Sequence, residues 1–152
     1  MLKRSWALGL ALVFAGPGLL ACGDDDDDPT GVNIGAVAGS YSATKFEFRS
    51  VADPTTTFDF VQDAGATFDL SIQANGDYTL VAHLPGFPDQ TEQGTVEIDG
   101  DQITLSSDET LSGTYDLSGS TLTINVTSGA EFDFDGDATD EPATVQLIFE
   151  ET

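Results

Sequence analysis

Thr67-Phe68-Asp69-Leu70-Ser71-Ile72-Gln73-Ala74-Asn75-Gly76-Asp77-Tyr78-Thr79-Leu80-Val81-Ala82-His83-Leu84 is the stretch that decides the fold. Phe68, Leu70 and Ile72 alternate with Asp69 and Ser71, and Tyr78, Leu80, Ala82 and Leu84 resume the alternation beyond Asn75-Gly76. A period of two places each apolar set on one face of a half-buried strand, and Asn-Gly between two such runs marks a tight hairpin. Strands joined that way are antiparallel neighbours. The same grammar runs outward in both directions. Upstream lie Phe46 and Phe48 between Lys45, Glu47 and Arg49, then Phe58 and Phe60 around Asp59. Downstream come Val96 and Ile98, Ile103 and Leu105, Tyr115 and Leu117, then Leu122, Ile124 and Val126, Phe132 and Phe134, and finally Val145, Leu147 and Phe149. Asp99-Gly100 and Ser118-Gly119 punctuate these runs as further two-residue hairpins. No window of comparable length has helical spacing, and no repeat of fixed period appears. The runs amount to roughly eight to ten strands, enough for an all-β, antiparallel up-and-down barrel that closes and so loses its edges. An open β-sandwich is the alternative.

Charge and length bound what such a domain does. The chain has 152 residues, which suits one domain of about 100–150 residues. It carries 27 Asp and Glu against 4 Lys and Arg, and its formal net charge of −23 becomes −25 once Lys3 and Arg4 at the extreme N-terminus are left out. Beyond them only Lys45 and Arg49 are basic. Such a surface repels phosphate backbones and anionic lipid headgroups, which excludes a nucleic-acid role. The same charge keeps a protein soluble and resists association, so the chain reads as a monomer. A saline habitat and divalent or cationic partners are both consistent with it.

The N-terminus reads as an address. Met1-Leu2-Lys3-Arg4 gives a basic start, an apolar run extends from Trp6 to Leu20, and a small residue precedes a cut site. The run is shorter than the roughly 20 residues a membrane span requires, and Gly16-Pro17-Gly18 breaks a helix near its end. Leu19-Leu20-Ala21-Cys22 resembles the lipobox of bacterial lipoproteins. That resemblance implies a signal peptide over 1–21, lipidation at Cys22 and a membrane anchor of several acyl chains, which hold where a single chain is marginal. Cys22 is the only cysteine, so it has no internal disulfide partner. In the family, Asp after the lipidated Cys tends to retain the protein at the inner membrane; Gly23 here implies the outer membrane, at its periplasmic face or on the cell surface. The run Asp24 to Asp28 reads either as an extended, self-repelling spacer or as a surface-export signal of the kind some bacterial lipoproteins carry. Residues 22–36 are thus a lipidated Cys and acidic tether, and 37–152 the folded domain.

Gly39-Ser40-Tyr41 ahead of a strand, followed by serial hairpins across 37–150, resembles the small lipocalin-like domains of bacterial lipoproteins. In lipocalins the first strand opens with Gly, any residue and Trp, and the Trp packs across the barrel floor. Tyr41 stands at that Trp position, and the Arg that accompanies it has no counterpart, since no Lys or Arg follows Arg49. The resemblance implies a barrel that binds a small apolar or amphipathic ligand. Phe46, Phe48, Phe68, Leu70, Tyr78, Leu80, Tyr115 and Phe132 are the inward residues expected to line the site or to fill the interior solidly.

The residue inventory argues against an enzyme. With one His and no free thiol after Cys22, a Ser/His/Asp arrangement would have to use His83, and a histidine-based zinc site is left with carboxylates only. His83 falls on the polar face of its strand. Paired carboxylates among 27 acids carry no information about glycoside hydrolysis. One acidic run stands out, Asp133-Phe134-Asp135-Gly136-Asp137-Ala138-Thr139-Asp140-Glu141. Aspartates at alternating positions resemble the start of a calcium loop, with Asp133, Asp135, Asp137 and Glu141 as ligands. The sixth position, normally Gly, is Ala138, and the twelfth, normally Glu, is Thr144. A plain hairpin loop with Asx turns is the competing reading. A calcium-stabilised structural or interaction module without a small ligand is therefore the alternative function. Pro85 and Pro88 interrupt pairing around Phe87, which is expected either over the barrel mouth or tucked back onto the core.

Overall fold

The computed structural model describes residues 34–152; the N-terminal leader, Cys22 and the Asp24–Asp28 run lie outside the described residues. A short 3-10 turn (Ile34–Ala36) leads into nine strands: β1 (Gly39–Ser50), β2 (Thr57–Asp59), β3 (Thr67–Ile72), β4 (Asp77–His83), β5 (Gln90–Asp99), β6 (Gln102–Ser106), β7 (Thr110–Ser118), β8 (Thr121–Phe132) and β9 (Glu141–Glu151). Their order in the sheet is β2-β1-β3-β4-β5-β6-β7-β8-β9, and β1 also pairs with β9. β2 and β3 occupy successive stretches of one edge of β1 and act as a single interrupted strand, so the closed antiparallel barrel has eight staves. The β1–β9 ladder, from Tyr41 opposite Glu151 to Ser50 opposite Ala143, overturns the open-sandwich alternative, because a sandwich leaves these two strands as free edges.

Hairpin chemistry follows the glycines, displaced by one residue. The two-residue loops are Gly100-Asp101 and Gly119-Ser120, with the glycines at φ 63° and 64° in the first central position, a conformation side chains resist. At Asn75-Gly76 the loop is longer, since the Gln73 N–H still donates to the Asp77 carbonyl across Ala74, Asn75 and Gly76.

Two irregularities set which side chains enter the barrel. On β1 the register against β9 slips between Ala43 and Lys45. Tyr41 and Ala43 face inward before the slip, and Phe46 and Phe48 after it, so one bulge reverses the phase of the alternation. Between β2 and β3 the chain extrudes residues 61–65: the Phe60 N–H donates to the Phe46 carbonyl and the Ala66 N–H to the Phe60 carbonyl, each at 2.9 Å. Asp59, buried at the neck of this excursion, accepts from the backbone N–H of Val61 at 2.9 Å, Phe46 at 3.3 Å and Gln62 at 3.4 Å, while the Asp63 carboxylate accepts from the Asp59 N–H.

The base of the barrel holds the 3-10 turn, the C-terminal residues and the short hairpins. Val37, Ile72, Tyr78, Val96, Ile103, Leu122, Ile124 and Phe149 are buried there. Tyr41 lies across this floor, and its hydroxyl donates to the Val37 carbonyl at 3.0 Å. Burial, and secondarily the charge of Glu151, raises its phenol above the usual tyrosine range. Ile34, in the 3-10 turn, also packs on the core. The opposite end carries the longer loops 51–56, 84–89, 107–109 and 133–140 and forms the mouth.

Candidate functional site at the barrel mouth

Half-buried apolar side chains occur at both ends of the barrel: Ile98, Tyr115 and Leu117 beside the base hairpins, and Phe46, Phe58, Leu80, Ala82, Leu111 and Phe132 toward the mouth, where Phe48, Phe60 and Phe68 beneath them are buried. A mouth of this kind offers apolar surface that water still reaches, and covering it is favourable at about 25 cal/mol per Å².

Seven phenylalanines gather on one wall of it. Phe46 meets Phe68 with ring centroids 4.8 Å apart, Phe48 meets Phe132 at 4.9 Å, Phe58 meets Phe60 at 5.0 Å, and Phe132 meets Phe134 at 4.9 Å. Phe132 belongs to β8 and Phe48 to β1; the intervening strand β9 presents the small Ala143 here, which leaves room for the rings to touch. Edge-on and offset pairs such as these contribute about 0.5–1.5 kcal/mol each beyond the area they bury. Of the residues expected to line a ligand site, the structure brings Phe46, Phe48, Phe68 and Phe132 together in this cluster and places Leu80 on the facing wall. Leu70 and Tyr78 lie deep in the core, and Tyr115 sits half-buried beside the Gly100-Asp101 hairpin at the base. Phe58, Phe60 and Phe134 join the cluster without having been singled out; their alternation around Asp59 and Asp133 was the available signal.

Across the mouth stands a carboxylate. Glu92 lies opposite Leu80 in the β4–β5 ladder, on the inward-facing side of β5 that also carries Gly94 and Val96. Its Oε1 accepts a hydrogen bond from the buried Tyr78 hydroxyl and another from Ser107 Oγ at 2.7 Å. Burial first, and then the hydrogen bond to Glu92, pushes the Tyr78 phenol up to about 12. Gly94, paired with Tyr78, makes the contact geometrically accessible: a Cβ on Gly94 would stand 2.8 Å from Tyr78 Cε1 and 2.0 Å from the Ser106 carbonyl oxygen. Glu92 was not legible in the sequence, because Gln90-Thr91-Glu92-Gln93 is polar throughout and has no alternation to reveal its inward side.

Lys45 and Arg49 are turned away from this mouth. On the outer wall Lys45 Nζ lies 3.1 Å and Arg49 Nη2 2.7 Å from the Glu47 carboxylate. Partial burial raises the Glu47 carboxyl, but these hydrogen bonds outweigh it and hold it below the usual range. Glu47 and Arg49, with Asn125, Thr144 and Gln146, line a shallow external groove. Among the described residues no Lys or Arg faces the mouth.

Two loops complete the rim. His83 is exposed, as its place on the polar face implied, and pairs with Asp89 at the foot of the 84–89 loop. Phe87 at the tip is 45% exposed, so it is not tucked onto the core. In the 133–140 loop the carboxylates of Asp133, Asp135, Asp137 and Glu141 offer oxygens all within 4.8 Å of one another. They also organise the loop: Asp133 accepts from the N–H of Gly136 at 2.6 Å and Ala138 at 3.0 Å, Asp137 from Thr139 at 2.8 Å, and Glu141 from Phe134 at 2.9 Å. Ala138, at the position a calcium loop gives to glycine, adopts φ 68°, the left-handed conformation that glycine supplies without strain.

No protein-family model, curated protein or solved structure matches the chain.

Proposed function

We propose that this chain is a lipid-anchored cell-envelope protein whose barrel takes up a small apolar or amphipathic molecule at its mouth. The observation that carries the ligand reading is the gathering of half-buried apolar side chains, Phe46, Phe58 and Phe132 on one wall and Leu80 on the other, at the end of the barrel that carries the longer loops. Such an arrangement receives a ligand from one end. The anchoring part rests on the Leu19-Leu20-Ala21-Cys22 sequence and the basic, apolar leader before it. Because the 3-10 turn and the start of β1 lie at the base, the acidic tether joins the end remote from the mouth. Binding there involves no chemistry on the ligand in this reading.

The test is native mass spectrometry of the protein released from cells that express the full chain. Organic mass that survives chelation and disappears on Phe46→Asp supports the carrier; a bare protein mass throughout, with no saturable binding of any apolar probe, refutes it.

The convergence of four carboxylates within 4.8 Å favours a second reading, a structural or interaction module held by calcium at Asp133, Asp135, Asp137 and Glu141. In that case a calcium adduct is lost on chelation and on Asp135→Ala, and thermal stability falls with it. Stability indifferent to calcium and chelator rejects this second reading.

A further inference from the structure

We infer that the molecule received at the mouth is an amphipathic organic cation, its apolar body against the phenylalanine wall and its cationic head at Glu92. The inference rests on the proposed ligand-binding function and names the class of ligand. Three observations on different parts of the barrel converge on it. The wall built by Phe46, Phe58 and Phe132 is apolar and only partly buried, and its ring faces attract cations as well as hydrocarbon. The facing wall presents the Glu92 carboxylate, fixed in place by the Tyr78 hydroxyl and Ser107 through one of its oxygens. The two basic side chains of the described residues are spent on Glu47 outside the barrel, so no guanidinium or ammonium competes for Glu92.

The state of the network favours a cation over the other head groups. Tyr78 donates its only proton to Glu92 Oε1 and is held neutral far above neutral pH, so it presents Glu92 with a donor and never with a charge. An anionic head, such as a fatty acid carboxylate, would meet the Glu92 carboxylate with like charge. A neutral alcohol gains a hydrogen bond and no Coulomb attraction. The net negative charge of the chain raises the rate at which cations meet the domain without singling out the mouth, and so adds to encounter more than to discrimination.

Three probes with one tail separate these cases: decyltrimethylammonium, decanol and decanoate, titrated by calorimetry into the protein from the full chain below the self-association limit of each probe. The cation binds most tightly and decanoate least. Glu92→Gln keeps an acceptor for Tyr78 and Ser107 yet weakens the cation by about fivefold, leaving decanol unchanged. Glu97→Gln, on the outward side of the same strand, leaves all three affinities as they were. If decanol binds as well as the cation and Glu92→Gln alters neither, the head-group assignment is overturned while the apolar carrier stands. If Glu97→Gln weakens the cation as much as Glu92→Gln does, diffuse charge is responsible and the assignment is overturned as well. If none of the three binds, the carrier reading itself fails.

Discussion

Substituting Gly94 by alanine puts the closest contact in the barrel under test. A Cβ at this position would lie 2.0 Å from the Ser106 carbonyl oxygen and 2.8 Å from its carbon, both backbone atoms, as well as 2.8 Å from Tyr78 Cε1. Ordinary carbon–oxygen contact requires more than 3 Å, so β5 and β6 must part by about 1 Å, and neither a rotamer change nor a flexible chain end can absorb that. Overpacking of this kind costs about 1–3 kcal/mol, and weakened ladder hydrogen bonds around Thr95 and Ser106 bring the total to about 3 kcal/mol or more. For a domain of roughly 120 residues that lowers the melting temperature by about 12 °C. Circular dichroism melting of the purified variant measures it directly. Gly94→Ala should also loosen Tyr78 from Glu92 and return the phenol toward its ordinary range, a second readout independent of stability. A melting temperature within two or three degrees of the parent, with the Tyr78 titration unmoved, would refute the reasoning, because it would mean that β5 and β6 are not packed this closely.

Three other perturbations read different parts of the structure. Asp59→Ala leaves the N–H of Val61 without its 2.9 Å acceptor at a buried position and should cost about 1–3 kcal/mol in urea unfolding, with Asp59→Asn costing less because its amide oxygen still accepts; equal midpoints for all three proteins would show that the excursion holds without it. Ala138→Gly relieves a non-glycine residue at φ 68° and should stabilise the domain by up to about 1 kcal/mol, checked by the same unfolding curves. Tyr41 and Tyr78 have raised phenol pKa values, so the neutral phenols stabilise the fold; their contribution is fully present below pH 10, the unfolded value, and is lost as pH rises through the folded values, about 12 for Tyr78. Alkaline phenolate absorbance should therefore rise in step with unfolding, and Tyr78→Phe should move unfolding to higher pH; ionisation of Tyr41 and Tyr78 near pH 10 in a folded protein contradicts the packing described.

The alternating runs made the strands legible because each buries one face, and antiparallel pairing followed from the glycine punctuation. What alternation cannot convey is a change of phase. Tyr41 and Phe46 stand at odd and even positions of one strand and both enter the barrel, which only the bulge between Ala43 and Lys45 permits. The polar stretch at Gln90–Gln93 hid Glu92 for the related reason that a strand polar on both sides has no readable inward face. Asp59 was equally hidden, since Phe58 and Phe60 on either side suggest a solvated residue between them, whereas the 61–65 excursion folds over it. The acidic run, by contrast, was legible by spacing alone, because aspartates two apart along a sharply turning loop come to share one side, and their oxygens do converge.

The seam between β1 and β9 has a consequence for how the chain reaches this structure. The other neighbouring strands are joined by hairpins or loops, β1 reaching β3 by way of β2, and their pairings are far more local than the seam. The seam joins Ala43 to Phe149, nearly the full length of the folded unit, and its ladder has no local substitute. Closure is thus the last and slowest event, and until the final strand arrives the first waits with an unpaired edge beside exposed phenylalanines. Repulsion among the many carboxylates keeps neighbouring unfinished chains apart during that interval, so the acidity that burdens the finished barrel protects its assembly.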